Sequence, residues 1–350
     1  MSWSRSALLL TFVLPAAAGA APPLSLRDSA QGKIIMGASI REWVLDKDYH
    51  YEKILKEQFD LVWPEYFFKM KPIQPKRGEF DFKVPDQVVD FAIAAKQKVK
   101  GHTLIWNESL PEWFEKGNFS KKEVLEIMEN HIATVVGHFE TKYPGRVQYW
   151  DVVNEAIDDA GGVRKSKWTE IGSAPLDFVA LAFKAARKAA PQAKLFYNDY
   201  RIEFPEVKGD RVYEMVSKLV KAKVPIDGIG FQMHTSIERP FDFEELARQM
   251  KRYSDLGLEI HISEMDVRIR SKDGVTPDEE KRQSDLYVGA LKTCLANKKC
   301  TAFITCGFTD DQSWISENQN LFPGFGRAQI FDRKYQPKKV YFDLVEALRR

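Results

Sequence analysis

The chain has 350 residues, of which 44% are hydrophobic and 29% charged, a composition typical of a globular protein with a substantial core. Its 52 basic and 50 acidic side chains nearly cancel, so the sequence lacks the basic excess that nucleic-acid binding usually needs. We therefore predict no nucleic-acid partner.

Residues 1–20 have the features of a signal peptide. Arg5 supplies the basic segment, the apolar stretch ALLLTFVLPAAAGA follows, and residues 18–20 match an A-x-A cleavage site. The stretch is short for a membrane span, which argues against the alternative of an uncleaved anchor. We therefore expect a protein that is secreted to the extracellular space or the periplasm. Its mature domain, residues 21–350, has no membrane segment.

The chain contains three cysteines, at positions 294, 300 and 306. In an oxidising compartment Cys294 and Cys300 can bridge a short loop, which leaves Cys306 as an odd thiol. No CxxC pair or nearby histidine completes a set of metal ligands. We therefore predict neither a metal site nor a cofactor.

Short β-rich runs alternate with longer amphipathic stretches along the rest of the chain. Eight runs predict strands, at 33–40, 59–66, 98–106, 147–155, 193–200, 226–234, 258–267 and 301–308. Helices are predicted between them, for example at 86–98, 121–140, 175–190 and 242–257. Repeated strand-then-helix units with no Ser/Gly/Pro-rich linker are typical of one α/β domain, a single (β/α)8 TIM barrel.

In such a barrel the active site lies at the C-terminal ends of the strands. Polar or aromatic residues end six of the eight predicted strands: Glu65 and Tyr66, His102 and Trp106, Asn154 and Glu155, Asn198 and Asp199, Gln232 and His234, Glu264 and Asp266. Packing alone does not explain so many polar strand ends. His261, in contrast, is predicted to be a core histidine that faces the helix layer, because strand alternation puts it opposite Glu264.

Glu155 and Glu264 end the fourth and seventh strands and so face each other across the barrel mouth. Paired carboxylates serve glycoside hydrolysis, in which one protonates the leaving oxygen while the other attacks the sugar or activates water. The sequence gives no separation between them, so a retaining and an inverting mechanism both remain open. One alternative is a structural ion pair with Arg or Lys. Another is a metal-dependent hydrolase, which the scattered histidines do not favour.

Five motifs, in chain order, resemble glycoside hydrolase family 10, the endo-β-1,4-xylanases: GHTLIW, WDVVNEA, LFYNDY, PIDGIGFQMH and IHISEMD. The resemblance covers about residues 33–349. It implies that Glu155 is the general acid/base and Glu264 the nucleophile of a retaining, double-displacement hydrolase. The implied substrate is xylan or a related decorated β-1,4-glycan, and we expect a monomer.

The resemblance also implies roles for the neighbours of the two carboxylates. Asn154 would hydrogen-bond the 2-hydroxyl of the sugar being cleaved, and Gln232 would keep the acid/base poised. His234 would contact Glu264 and be held in turn by Asp266. Further implied positions are the sugar-binding residues on the glycone (non-reducing) side, an aromatic near the cleavage point and a family disulfide: Glu65, Lys69, His102, Trp106; Trp314; Cys294–Cys300.

The chain departs from the family at three sugar-binding positions. Tyr66 stands where the family has Asn, Asn107 where it has His, and Cys306 where it has a Trp that covers the cleaved sugar. Loss of that Trp removes a large flat wall and predicts a subsite with more room. A catalytically idle sugar-binding barrel derived from the family is therefore the alternative to an active hydrolase.

Overall fold

The computed structural model describes residues 25–270 and 274–350. The predicted signal peptide, residues 1–20, lies outside these ranges and stays a prediction. Within the described ranges, no helix is both long and apolar enough to span a membrane.

The described residues form a closed barrel of parallel strands. The ten strands are β1 Ile35–Ile40, β2 Leu61–Pro64, β3 Lys98–Ile105, β4 Val147–Asn154, β5 Lys194–Asp199, β6 Gly228–Phe231, β7 His234–Ser236, β8 Glu259–Arg270, β9 Cys300–Thr305 and β10 Phe325–Gly326. The barrel consists of β1–β6, β8 and β9, and it closes because β1 pairs with β2 and β9 while β8 pairs with β6 and β9. The predicted (β/α)8 barrel is thus confirmed.

Helices surround this barrel. They are α1 Leu26–Ala30, α2 Tyr49–Gln58, α3 Met70–Ile73, α4 Lys83–Ala94, α5 Glu112–Glu115, α6 Lys121–Lys142, α7 Asp177–Ala189, α8 Val207–Lys221, α9 Phe243–Asp255, α10 Pro277–Ala296, α11 Trp314–Glu317 and α12 Lys339–Arg349, with 3-10 helices at Glu42–Val44 and Lys167–Glu170. One long helix follows each barrel strand: α2, α4, α6, α7, α8, α9, α10 and α12. The short helices lie in the loops or, like α1, before the barrel.

Local sequence explains where the long helices begin and end. Ser120 and Glu123 form a reciprocal capping box, which satisfies free N–H groups at the start of α6. The predicted helix at 86–98 ends earlier, at Ala94, because Lys96 has a left-handed φ of 56° and the chain turns there into β3.

The barrel interior holds its own packed layer, formed by side chains from four strands and the residue after β9: Leu61, Trp63, Tyr149, Phe196, Ala302, Ile304 and Cys306. His261 is buried as predicted, but it faces this interior and not the helix layer. Its ring lies 4.2 Å from the ring of Phe196 and 5.0 Å from that of Tyr149, measured between centroids. The prediction was wrong because a register shift between Ile262 and Met265 breaks the strict alternation of β8.

The predicted disulfide is present between Cys294 and Cys300, whose Cα atoms are 5.2 Å apart. It joins the last turn of α10 to the first residue of β9, at the N-terminal end of the barrel strands. Cys306 is free and buried.

Candidate active site

Glu155 follows the last residue of β4 in a left-handed conformation, with a φ of 55°. Hydrogen bonds hold its backbone on both sides: its N–H donates to the backbone carbonyl of Asn198 in β5 at 3.0 Å, and Arg164 Nε donates to its carbonyl at 3.0 Å. The next N–H, of Ala156, donates to the Tyr197 hydroxyl at 2.9 Å. These bonds fix an otherwise unfavourable backbone turn that aims the carboxylate into the mouth.

The Glu155 carboxylate accepts hydrogen bonds from neutral donors. Gln232 Nε2 and Asn154 Nδ2 donate to Oε1 at 3.0 and 3.2 Å, and Trp106 Nε1 donates to Oε2 at 3.1 Å. In the described part of the chain no Lys, Arg or His lies within ion-pair distance of this carboxylate. Gln232, which the resemblance implied would hold Glu155 poised, thus contacts the Glu155 carboxylate.

Glu264 has a charged surrounding instead. Asn198 Nδ2 donates to its Oε1 at 2.7 Å, and His234 Nε2 lies 3.6 Å from its Oε2. The other ring nitrogen of His234 lies 2.8 Å from Asp266 Oδ2, and Trp314 Nε1 donates to the same oxygen at 2.8 Å. The predicted chain from Asp266 through His234 to Glu264 is thus present.

This charged chain sets the protonation states. Burial by itself raises the pKa of Glu264, but His234, the charge of His102 and the Asn198 amide outweigh burial and lower that pKa to about 2. Burial also lowers the pKa of His234, but Asp266 and Glu264 outweigh it and raise that pKa to about 10. At neutral pH, Glu264 is therefore an ionised carboxylate facing an imidazolium.

A short chain of amides joins the two carboxylates. Asn198 Nδ2 donates both to Glu264 and, at 2.9 Å, to Asn154 Oδ1. Asn154 in turn donates to Glu155, and Gln232 donates to both Asn154 and Glu155. Because two side chains bridge the carboxylates, both acids lie in one site.

Asn198 is a residue that sequence reasoning noted only as a polar strand end. Its side-chain oxygen Oδ1 accepts from Ser263 Oγ at 2.6 Å, which orients the amide so that its NH2 group faces Asn154 and Glu264. Its position at the end of β5, between the two carboxylate-bearing strands, was the available signal.

A second buried group of charges lies below the site. Lys100 Nζ and Asp151 Oδ1 form a 2.8 Å ion pair inside the barrel, and Asp151 Oδ2 lies 3.0 Å from His102 Nδ1. His102 also meets the edge of Trp63 with ring centroids 4.8 Å apart. His102 is therefore anchored by Asp151, and its charge contributes to the lowered pKa of Glu264.

Asp199 adds a titratable group behind Glu155. It is fully buried, pairs with Lys208 at 2.8 Å and accepts from the Tyr197 hydroxyl at 2.6 Å. Burial raises the pKa of Asp199 to about 7, and the nearby Glu155 adds to the rise while Lys208 opposes it. The same Tyr197 hydroxyl accepts from Ala156, so this cluster supports the backbone next to Glu155.

The remaining predicted sugar-binding residues lie around the mouth. Lys69 Nζ sits 4.7 Å from the centre of the Trp106 ring, and Glu65 pairs with Arg41 at 2.7 Å. Tyr66 is exposed and Asn107 is half-buried. Trp314 contacts His234 edge-on, 5.0 Å between centroids, and packs against the interior layer that includes Cys306.

This geometry can be compared with known proteins. Residues 25–347 match the family model described as glycosyl hydrolase family 10. The chain belongs to glycosyl hydrolase family 10. It is 39% identical over 307 residues to endo-1,4-beta-xylanase B of Thermotoga neapolitana, covering 87% of this chain and 85% of that protein. It is 33% identical to endo-1,4-beta-xylanase 1 of Humicola insolens, covering 97% and 77%.

Solved family 10 structures superpose over nearly the whole described chain. Native xylanase 10B from Thermotoga maritima gives a TM-score of 0.87 at 37% identity and covers 93% of this chain and 98% of that one. Xylanase 10B from Thermotoga petrophila, solved in complex with xylobiose, gives a TM-score of 0.88 at 36% identity. The match covers 94% of this chain and 98% of that one. The chain is thus a glycosyl hydrolase by family as well as by the carboxylate pair at its barrel mouth.

Proposed function

We propose that this protein is a retaining endo-β-1,4-xylanase. The observation that carries the proposal is the contrast between the two carboxylates: Glu264 is ionised beside an imidazolium, whereas Glu155 accepts only from neutral donors. An ionised carboxylate suits the nucleophile, and a carboxyl with no fixed cation suits a group that gives and takes a proton. The xylanases among its relatives support xylan as the substrate.

The reaction proceeds in two displacements. Glu155 donates its proton to the glycosidic oxygen while Glu264 attacks C1, so that the C1–oxygen bond breaks and a glycosyl ester of Glu264 forms. Glu155 then takes a proton from water, the water oxygen bonds to C1, and Glu264 leaves as a carboxylate. Two inversions give a product that retains the β configuration.

The neighbours of the carboxylates act on these steps. Asn154 contributes an amide that exchanges its bond to Glu155 for one to the 2-hydroxyl of the cleaved sugar, a contact that strengthens in the transition state. Asn198 and His234 hold the attacking oxygens of Glu264, and Trp106 and Gln232 hold the two oxygens of Glu155. Each acid is therefore positioned before substrate arrives.

Proton NMR during digestion of linear β-1,4-xylan tests the proposal. We expect new reducing ends to appear first as the β anomer and then to mutarotate, with none released by the Glu264→Gln variant. An α anomer as the first product would overturn the retaining mechanism. Retention of polysaccharide without release, across several xylans and glucans, would overturn the enzymatic assignment.

The proposal includes export of the mature domain. The signal-like N-terminus and the Cys294–Cys300 disulfide, which forms in oxidising compartments, support it. N-terminal sequencing of protein recovered outside the cell should start at residue 21. Recovery only from the cytosol would contradict export.

A further inference from the structure

The peptide group that joins Glu155 to Ala156 is hydrogen-bonded at both of its polar atoms. Arg164 Nε donates to its carbonyl oxygen at 3.0 Å, and its N–H donates to the Tyr197 hydroxyl at 2.9 Å. Glu155 has a φ of 55°, which is uncommon for a residue other than glycine. The direction of the Glu155 side chain therefore depends on the two residues that hold this peptide.

Tyr197 is anchored from behind by a buried ion pair. Its hydroxyl donates to Asp199 Oδ2 at 2.6 Å, and Asp199 Oδ1 lies 2.8 Å from Lys208 Nζ. All three side chains are buried. A phenolic hydroxyl has one proton, so donating it to Asp199 leaves lone pairs to accept the N–H of Ala156.

Arg164 is anchored by side chains that lie nearer the surface. Its Nη2 donates to the Tyr200 hydroxyl at 2.8 Å, and that hydroxyl donates to Asp159 Oδ1 at 2.7 Å. Lys208 Nζ lies 3.5 Å from the same Asp159 oxygen and 3.1 Å from the centre of the Tyr200 ring. Both sets of contacts thus end at Lys208, and together they form a closed ring that starts and finishes at the peptide after Glu155.

We propose that Tyr197 and Arg164 are positioning residues for the proton transfers of Glu155. This inference rests on the proposed function, in which Glu155 is the acid/base. A general acid must lie within hydrogen-bond distance of the leaving oxygen, and a displacement of about 1 Å can cost about 10²-fold in rate. Loosening this peptide should therefore slow proton transfer while leaving the attack of Glu264 intact.

The test compares two aryl β-xylobiosides that differ only in their leaving groups. Phenol is a poor leaving group that needs the proton of Glu155, whereas 2,4-dinitrophenol leaves without it. Tyr197→Phe, which removes the hydroxyl and keeps the ring, should lower kcat/KM on the phenyl glycoside about tenfold and leave that on the dinitrophenyl glycoside within about twofold. Because a smaller folded fraction lowers both values by the same factor, the ratio of the two reports positioning and not stability.

Arg164→Lys provides an independent second variant. Lysine keeps the charge but lacks the planar fork that spans the Glu155 carbonyl and the Tyr200 hydroxyl, so the ratio should fall here as well. The matched control is Tyr287→Phe on α10, which removes a buried hydroxyl that donates to the Ala328 carbonyl at 2.8 Å. Its ratio should equal that of the wild type.

A ratio that stays at the wild-type value in Tyr197→Phe or in Arg164→Lys would overturn the positioning role of that residue. The same fall in Tyr287→Phe would also count against the proposal, since it would show that any lost buried hydroxyl changes the ratio. Glu155→Ala, measured on the same two glycosides, keeps this failure distinct from that of the proposed function. If its ratio is also unchanged, Glu155 is not the general acid.

Discussion

Glu155 and Glu264, two side chains of the same chemical type, have different electrostatic surroundings because their partners differ. Glu264 faces His234 and Asn198, whereas Glu155 faces Trp106 and amide groups. The sequence predicted both positions from their place at the C-terminal ends of the predicted strands, although in the structure β8 continues past Glu264 to Arg270. It could not predict the difference in electrostatics, since that depends on which side chains neighbouring strands bring within 4 Å.

Glu155→Ala should separate substrates by their leaving groups. Sugar leaving groups need the proton, so hydrolysis of xylan should fall by about 10²- to 10⁴-fold, while an activated aryl xylobioside should still form the glycosyl ester. Added azide can attack that ester and release Glu264. Chromatography should then detect a β-glycosyl azide. Equal losses on both substrates with no azide product would contradict the acid/base role.

The resemblance to the family implies that Cys306 replaces a Trp. The structure reduces the number of neighbouring aromatic residues that could fill the space of that ring. Phe308 packs against Tyr51 and Phe59, outside the interior layer, and Tyr66 is exposed. Trp314 packs against the interior layer that contains Cys306 and is fixed by its bond to Asp266. Of Phe308, Tyr66 and Trp314, Trp314 is thus the residue that packs against the layer containing Cys306.

Cys306→Trp should restore the missing wall. We expect kcat/KM on an aryl cellobioside, whose sugars carry a C5 hydroxymethyl group, to fall relative to that on the matching xylobioside by about fivefold, the size of one aromatic contact. The ratio of the two efficiencies is the measurement. Equal losses on both substrates would mean that Trp314 already fills the space and that the added ring overpacks the site.

Among the secondary-structure elements, β8, the seventh strand of the barrel, holds several residues of the site. The bulge between Ile262 and Met265 lets Ser263 and Glu264 both contact Asn198. Beyond it, β7 pairs with β8 and places His234 opposite Asp266. The sequence predicted one continuous strand over 226–234, because nothing in its hydrophobic pattern reveals the break between β6 and β7.

Asp266→Asn should shift the pH dependence of catalysis. Asp266 raises the pKa of His234, so its loss should lower that pKa toward the ordinary value of about 6.5 and weaken the cation beside Glu264. The pKa of Glu264 should then rise from about 2 toward its ordinary value. Since Glu264 attacks as the carboxylate, the acid limb of kcat/KM should move to higher pH.

The matched control is Asp311→Asn, which changes an exposed carboxylate in the loop before α11. Its pH profile on an aryl xylobioside should follow that of the wild type. If the acid limb lies at the same pH in Asp266→Asn and in the wild type, Asp266 does not control the pKa of Glu264 through His234.

For the whole molecule, the repeating strand and helix pattern was enough to predict the barrel and the end at which the site lies. The buried pair of Lys100 and Asp151 was not predicted. A lysine in a strand pattern is usually interpreted as solvent-facing. Pairing of β3 with β4 brings Asp151 to Lys100, and barrel closure then buries the pair. The inward direction of His261 was missed for a similar reason, because a bulge is a property of strand pairing.

The disulfide lies far from the chemistry and should act on stability alone. It closes a short loop, with a sequence separation of 6, so the double variant Cys294→Ser/Cys300→Ser should lose about 2 kcal/mol of unfolding free energy. Denaturant unfolding measures this loss, with the wild type under reducing conditions as the control. A large change in kcat on xylan at 25 °C would contradict the separation of the disulfide from the site.

Covalent labelling of Glu264 tests the central claim most directly. A 2-deoxy-2-fluoro xylobioside with an activated leaving group slows both displacements, so the glycosyl ester accumulates. Mass spectrometry of proteolytic peptides should find one added fluoroxylobiosyl group, on the peptide that contains Glu264, and none in Glu264→Gln. An active wild-type enzyme that gains no label, or a label on any other residue, would contradict the account.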